Sequence, residues 1–192
     1  MANYQLAQCN IARLRAPIDS PLLSEFVAAL EPINRLADEA PGFVWRLQTE
    51  TGDATAIRVF DDEMLMINMS VWESIDTLLA FTYGTAHRDV MRRRRQWFER
   101  LASVYLVLWW IPKGTLPTPS DARTRLEMLE GAGSSPEAFT FRSPFRAPDG
   151  ADGVAPQQGE SPTRLSAPGV RYEAPDVNPG EVGEPAGGPA PV

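Results

Sequence analysis

Residues 63–73, EMLMINMSVWE, alternate without a break: Leu65, Ile67, Met69 and Val71 fall on one side, and Met64, Met66, Asn68, Ser70 and Trp72 on the other. Period-two alternation over this length is a β-strand whose two faces meet different surroundings. Three further stretches read as strands. Residues 3–12 put Ala7, Cys9 and Ile11 on one face and Tyr4, Leu6, Gln8 and Asn10 on the other. FVWRLQTE follows from residue 43, and SVYLVLWWIP, from residue 103, is apolar on both faces, as a strand covered on both sides must be.

The intervening segments have helical spacing. In residues 19–42, Ser20 is placed to cap a helix, Pro21 to occupy its first turn, and Leu22, Phe26, Leu30, Ile33 and Leu36/Ala37 to form its apolar stripe. Pro32 should kink it, because the ring removes a donor and crowds the preceding turn. Pro41-Gly42 ends it. A second helical region covers 74–101, broken near Gly84, and PSDARTRLEMLEGAG is an accessory helix capped at Ser120. TAIRVFDD is ambiguous. The core order is β-α-β-β-α-β, the ferredoxin-like α+β arrangement, with an antiparallel sheet and helices on one face. The opposite face needs a cover. A second copy, making a homodimer, is the expected one; the accessory helix is the alternative.

Residues 1–143 form this body. Residues 144–192 hold 10 Pro and 8 Gly with almost no apolar periodicity, so they are expected to be a disordered tail. The tail carries a net charge of −4 out of the chain's −7, which leaves the body acidic as well. MANYQLAQCN lacks the basic and apolar regions of a signal peptide, and Val104–Ile111 is too short to span a bilayer. A cytoplasmic protein with no membrane partner is expected. Cys9 is the lone cysteine and reads as a small buried residue.

That acidic balance bears on HRDVMRRRR, residues 87–95. On a helical wheel Ala86, Val90, Met91, Trp97, Phe98 and Leu101 form one apolar stripe, with His87 and Arg94 in its middle. Arg88, Arg92 and Arg95 lie on the wet side, and Arg93 lies at the margin, four residues after Asp89. The run is therefore not a nucleic-acid patch. Arg94, aimed at apolar surroundings, needs either a structural acid such as Glu73 or a ligand to meet it. His87 is either a hydrogen-bonded core residue, a general acid/base or a haem or metal ligand. Two turns, about 10 Å along the axis, separate His87 from Arg94, enough to bracket a small organic molecule.

His87, Arg94 and Asn68 are the candidate catalytic residues. Trp45, Arg46, Ser70, Trp72, Tyr83 and Met91 are the candidate ligand-binding ones. Asn68, Ser70 and Trp72 share a strand face, and an Asn among Met, Ile and Val wants a polar partner that a ligand carbonyl could supply. Spacing alone leaves open whether that face looks at the helices or at a second copy. Phosphate-binding loops, the dinucleotide fingerprint and paired CxxC motifs are missing, and one histidine cannot build a multi-histidine metal site.

LAQCNIAR, APGFVWRLQ, INMSVWES, FTYGTAHRDVMRRRRQWFE and LWWIPKGTLPT, over roughly residues 3–143, resemble the bacterial family called domain of unknown function 3291 (DUF3291). That family is similar to the dimeric α+β barrels that include the antibiotic-biosynthesis monooxygenases. The resemblance implies a homodimer with a pocket between helices and sheet in each subunit. It further implies a small oxygenase-like enzyme acting on an aromatic or polyketide-like metabolite without a cofactor. Some of those barrels bind haem through a helix histidine, so a haem protein using His87 is an alternative, and a non-catalytic ligand-binding module is another.

Overall fold

The computed structural model describes residues 3–150, apart from the side chains of Thr85, Ala86, His87 and Asp89. The elements are β1 (Tyr4–Arg13), α1 (Ser24–Asp38), β2 (Phe43–Arg46), β3 (Leu65–Trp72), α2 (Ile75–Thr82), α3 (Thr85–Trp97), β4 (Leu106–Pro112) and α4 (Pro119–Ala132). The strands pair antiparallel in the order β2-β3-β1-β4. With α1 between β1 and β2, and α2 and α3 between β3 and β4, this is the ferredoxin-like arrangement expected from the periodicities.

Register explains the two faces. Ala7 stands opposite Val71 and Trp109, Cys9 opposite Met69 and Val107, and Ile11 opposite Ile67. These residues are 0–9% exposed, and they pack under Ala122, Leu126 and Leu129 of α4. Leu47, Ile57, Val59 and Phe60, from the irregular connection after β2, complete the cover. So the accessory helix lies on the face that α1–α3 leave open. Burying a leucine side chain contributes about 1.5–3 kcal/mol, which makes α4 a substantial part of this core.

The other face carries two apolar clusters. Leu6, Trp72, Ile75, Leu78, Leu108 and Phe139 form one under α2. Leu14, Leu23, Phe26 and Trp97 form the second, beneath α1 and α3, with Met64, Met66 and Val90 against them. Gly42 lets the β2 end approach α2: its φ is +77°, and a Cβ there would lie 2.4 Å from Thr77 Cγ2.

Several expectations change. A 3-10 turn at Pro21–Leu23 precedes α1 and shifts its phase, so Leu23 is buried while Leu22 and Leu36 are exposed. The second helix stops at Trp97, four residues early. Phe98 turns extended and bridges Leu14, and the Glu99 amide donates to the Arg13 carbonyl at 2.8 Å, so pairing with β1 replaces further helix. Leu101 consequently packs on the α4 side of the sheet. Thr118, not Ser120, caps α4 through a reciprocal pair with Asp121, which Pro119 at the first helical position allows.

Packing also runs past residue 143. The Trp110 indole donates to the Phe145 carbonyl at 2.8 Å, and Ala147 is buried. Residues 151–192, most of the expected tail, lie outside the described residues. Among the described residues no helix is long and apolar enough to cross a membrane.

Candidate functional site

Between its two apolar clusters, the helix-side face of the sheet is polar. Along β1 the side chains on this face run Leu6, Gln8, Asn10; along β3 they run Trp72, Ser70, Asn68, Met66. Register sets Gln8 opposite Ser70 and Asn10 opposite Asn68, making a two-by-two polar block on adjacent strands. Trp72, stacked on Phe81 of α2 with centroids 5.1 Å apart and met edge-on by Phe43, closes one end. Met66, in the cluster with Phe26 and Trp97, closes the other. Asn68 alone of the four is exposed, so the block opens outward there.

A single chain of hydrogen bonds joins the block. Trp72 Nε1 donates to Ser70 Oγ at 2.9 Å, and Ser70 Oγ donates to Gln8 Oε1 at 2.9 Å. Gln8 Nε2 donates to Asn10 Oδ1 at 2.9 Å, and Asn68 Nδ2 donates to the same Asn10 oxygen at 3.0 Å. Gln8 and Ser70 are 6% and 8% exposed, so water does not supply these bonds. No buried side-chain polar atom of the described residues lacks a partner. Asn10 Nδ2 and Asn68 Oδ1, at the open end, make no hydrogen bond to a described residue. The block thus ends in a donor group and an acceptor on two directly paired residues, neither of them bonded to a described residue.

The structure gathers three of the expected site residues, Asn68, Ser70 and Trp72, and places their face toward the helices. Gln8 and Asn10 complete the constellation; their polar period-two positions on β1 were visible, but their pairing with β3 was not. Trp45 does not join them. A bulge between Phe43 and Trp45 turns Trp45 to the α4 side, opposite Val71. Arg46 is occupied elsewhere: Nε and Nη2 donate to Asp38 at 2.8 and 3.1 Å, and Nη1 to the Gly52 carbonyl at 2.7 Å. It clasps the 49–53 turn to α1, beside a surface recess of about 400 Å³.

Arg94 is half-buried on α3, and no described acid, Glu73 included, pairs with it. The structural pair forms instead at the preceding residue. Arg93, exposed at the margin as the wheel expects, bonds Glu25 of α1 and lies 5.1 Å from the centroid of the Trp97 ring. No described contact joins Arg94 to the polar block. Tyr83, at the break between α2 and α3, and Met91 are both exposed. Arg88, Arg92 and Arg95 are exposed, as the wheel expects. The side chain of His87 lies outside the described residues. Among the described residues no cluster of three or more His, Cys, Asp or Glu could hold a metal ion. Cys9 is fully buried, and burial pushes its thiol up to about 12, which removes it from chemistry at neutral pH.

Comparisons with known proteins follow this architecture. SnoaB, a cofactor-independent oxygenase from Streptomyces nogalater, is similar with a TM-score of 0.39 and 16% identity, over 61% of this chain and 100% of that one. A dabb family protein with a ferredoxin-like fold from Mesorhizobium loti gives 0.37 and 10%, over 59% and 99%. NE2512 from Nitrosomonas europaea, of unknown function, gives 0.37 and 13%, over 61% and 96%. No curated protein matches the chain. The family model described as "Domain of unknown function (DUF3291)" matches residues 5–155, and the chain belongs to that family.

Proposed function

We propose that this protein holds a planar, oxygen-bearing aromatic metabolite over the polar block and that it acts as a small oxygenase-like enzyme. The observation that carries the proposal is the block itself: a hydrogen-bonded polar chain, open only at Asn68, set between two apolar clusters. A surface needed only for packing would be apolar here, since a buried polar network offers little net stability over well-packed hydrocarbon. A ring lying between the clusters could point its oxygen at the Asn10 amide. Donors fixed in advance at the position where charge develops on oxygen are an effective way to favour an oxyanion. Asn68 is the residue in contact with ligand, Asn10 the oxygen-binding donor, and Arg94 a candidate counter-charge on the helix side.

The block contains no group that titrates near neutral pH. That favours two possibilities: oxidation in which the ligand's own acidity or His87 supplies the proton step, or ligand binding without turnover. A haem protein using His87 would need that side chain turned toward an open site. Oxygen uptake by the full chain with a panel of hydroxylated polycyclic aromatics separates these readings. Uptake that falls at least tenfold in Asn68→Ala supports the enzyme. Binding without uptake supports the binding module, a Soret band lost in His87→Ala supports haem, and neither binding nor uptake across the panel overturns the site.

A further inference from the structure

The polar block has a direction, and the direction specifies what it can bind. A side-chain amide offers an oxygen at one end and two N–H groups at the other, and either end can face a neighbour when the amide turns over. At the root of this chain sits a group with no such freedom. The Trp72 indole is a donor only, and its Nε1 lies 2.9 Å from Ser70 Oγ. Ser70 therefore accepts there, and its own O–H must find an acceptor. Gln8, 2.9 Å away, is the described partner within reach.

If Gln8 turned its nitrogen to Ser70, the serine O–H would be left without an acceptor in a site 8% exposed. Gln8 must accordingly present Oε1 to Ser70 and Nε2 to Asn10. Asn10 must then present Oδ1, which also receives the Asn68 amide at 3.0 Å. Each step follows from the last. What remains at the open end is the Asn10 NH₂ group, a donor, next to Asn68 Oδ1, an acceptor.

From this we infer that Trp72 is a positioning residue that sets the polarity of the ligand site. The site accordingly selects a planar group carrying a hydrogen-bond acceptor directly beside a donor, of which a lactam is the simplest form. This rests on the helix-side block being a ligand site and adds which ligand chemistry it takes. A carbonyl meets Asn10, and the neighbouring N–H meets Asn68 Oδ1. A ligand of the same shape with two adjacent acceptors places an oxygen against Asn68 Oδ1 and is rejected, as sites built around buried polar groups reject analogues that cannot pair with them.

2-Quinolone and coumarin test this directly, because they share ring shape and carbonyl and differ in an N–H replaced by an oxygen. In titrations of the ¹⁵N-labelled full chain, 2-quinolone should bind at least tenfold tighter than coumarin and shift the side-chain amides of Asn10 and Asn68. In Ser70→Ala, which disconnects the amides from the indole, the ratio should fall below threefold. Trp72→Phe, which removes the donor and keeps a ring, should do the same. Equal binding of the two compounds to the native chain, or a tenfold ratio that survives either folded variant, overturns the polarity inference while leaving the site standing. If neither compound, nor quinoline, moves any resonance of the block, the site itself is refuted and this inference with it.

Discussion

Leu126 and Leu129 on α4 decide whether this chain covers its own sheet. They are 5% and 6% exposed, three residues apart on one helical face, and packed with Ala7, Cys9, Met69, Val71 and Trp109. Truncating a leucine in such a setting removes its transfer free energy and leaves a cavity that the rigid sheet beneath cannot fill. Leu→Ala changes at comparable sites cost about 2–5 kcal/mol, so about 3 kcal/mol is expected for Leu126→Ala alone. Leu129→Ala should cost a similar amount, and the double variant somewhat less than the sum, since the two share neighbours. Against a total stability of about 5–15 kcal/mol, the double variant should lie near the edge of folding. Urea unfolding followed by tryptophan fluorescence reads this out, with Trp109 lying directly beneath the helix. A loss under about 1 kcal/mol in both single variants would refute the reasoning. It would mean that α4 is not seated on the sheet in solution, and sedimentation should then show a second copy on that face.

Adjacent arginines on α3 should behave differently. Arg93→Ala loses an exposed ion pair with Glu25 and a cation–π contact, together about 1 kcal/mol in thermal or urea unfolding, whereas Arg95→Ala should stay within about 0.5 kcal/mol. Equal effects would show that the Trp97 contact contributes nothing. Arg94→Met should leave the melting temperature unchanged or raise it, because no described acid would be left stranded; a clear fall would reveal a structural partner. With its thiol pushed up to about 12 and no exposed surface, Cys9 should react with a thiol reagent at pH 8 no faster than the chain unfolds. Rapid labelling under native conditions would contradict the packing around β1.

Much of this fold was legible because strand and helix leave different periods. The alternation in residues 63–73 sorted every side chain of β3 to its correct face, and the doubly apolar run before Pro112 marked β4. Period says which residues share a face and nothing about which strand lies alongside. Gln8 and Asn10 were therefore visible as polar positions on β1, but their meeting with Ser70 and Asn68 depends on an antiparallel register that only tertiary pairing sets. The wheel had the same limit at Arg93 and Arg94. It gave directions about one helix axis without locating α1, whose Glu25 draws in Arg93, while no described acid pairs with Arg94. Trp45 was misplaced by a bulge, one extra residue that reverses every face after it.

The sheet's second face shows the same dependence at a larger scale. Both a second copy and α4 satisfied the need to cover Ala7, Cys9 and Ile11, and local pattern could not choose between them. Thr118 settles where α4 begins, because its pairing with Asp121 places the cap two residues before Ser120 and the first helical residue at Pro119. In that phase Ala122, Leu126 and Leu129 all face the sheet. Covering that face from within the chain leaves both faces of the sheet packed by apolar residues. The α4 side is apolar throughout, whereas on the helix side the polar block of Gln8, Asn10, Asn68 and Ser70 lies between two apolar clusters.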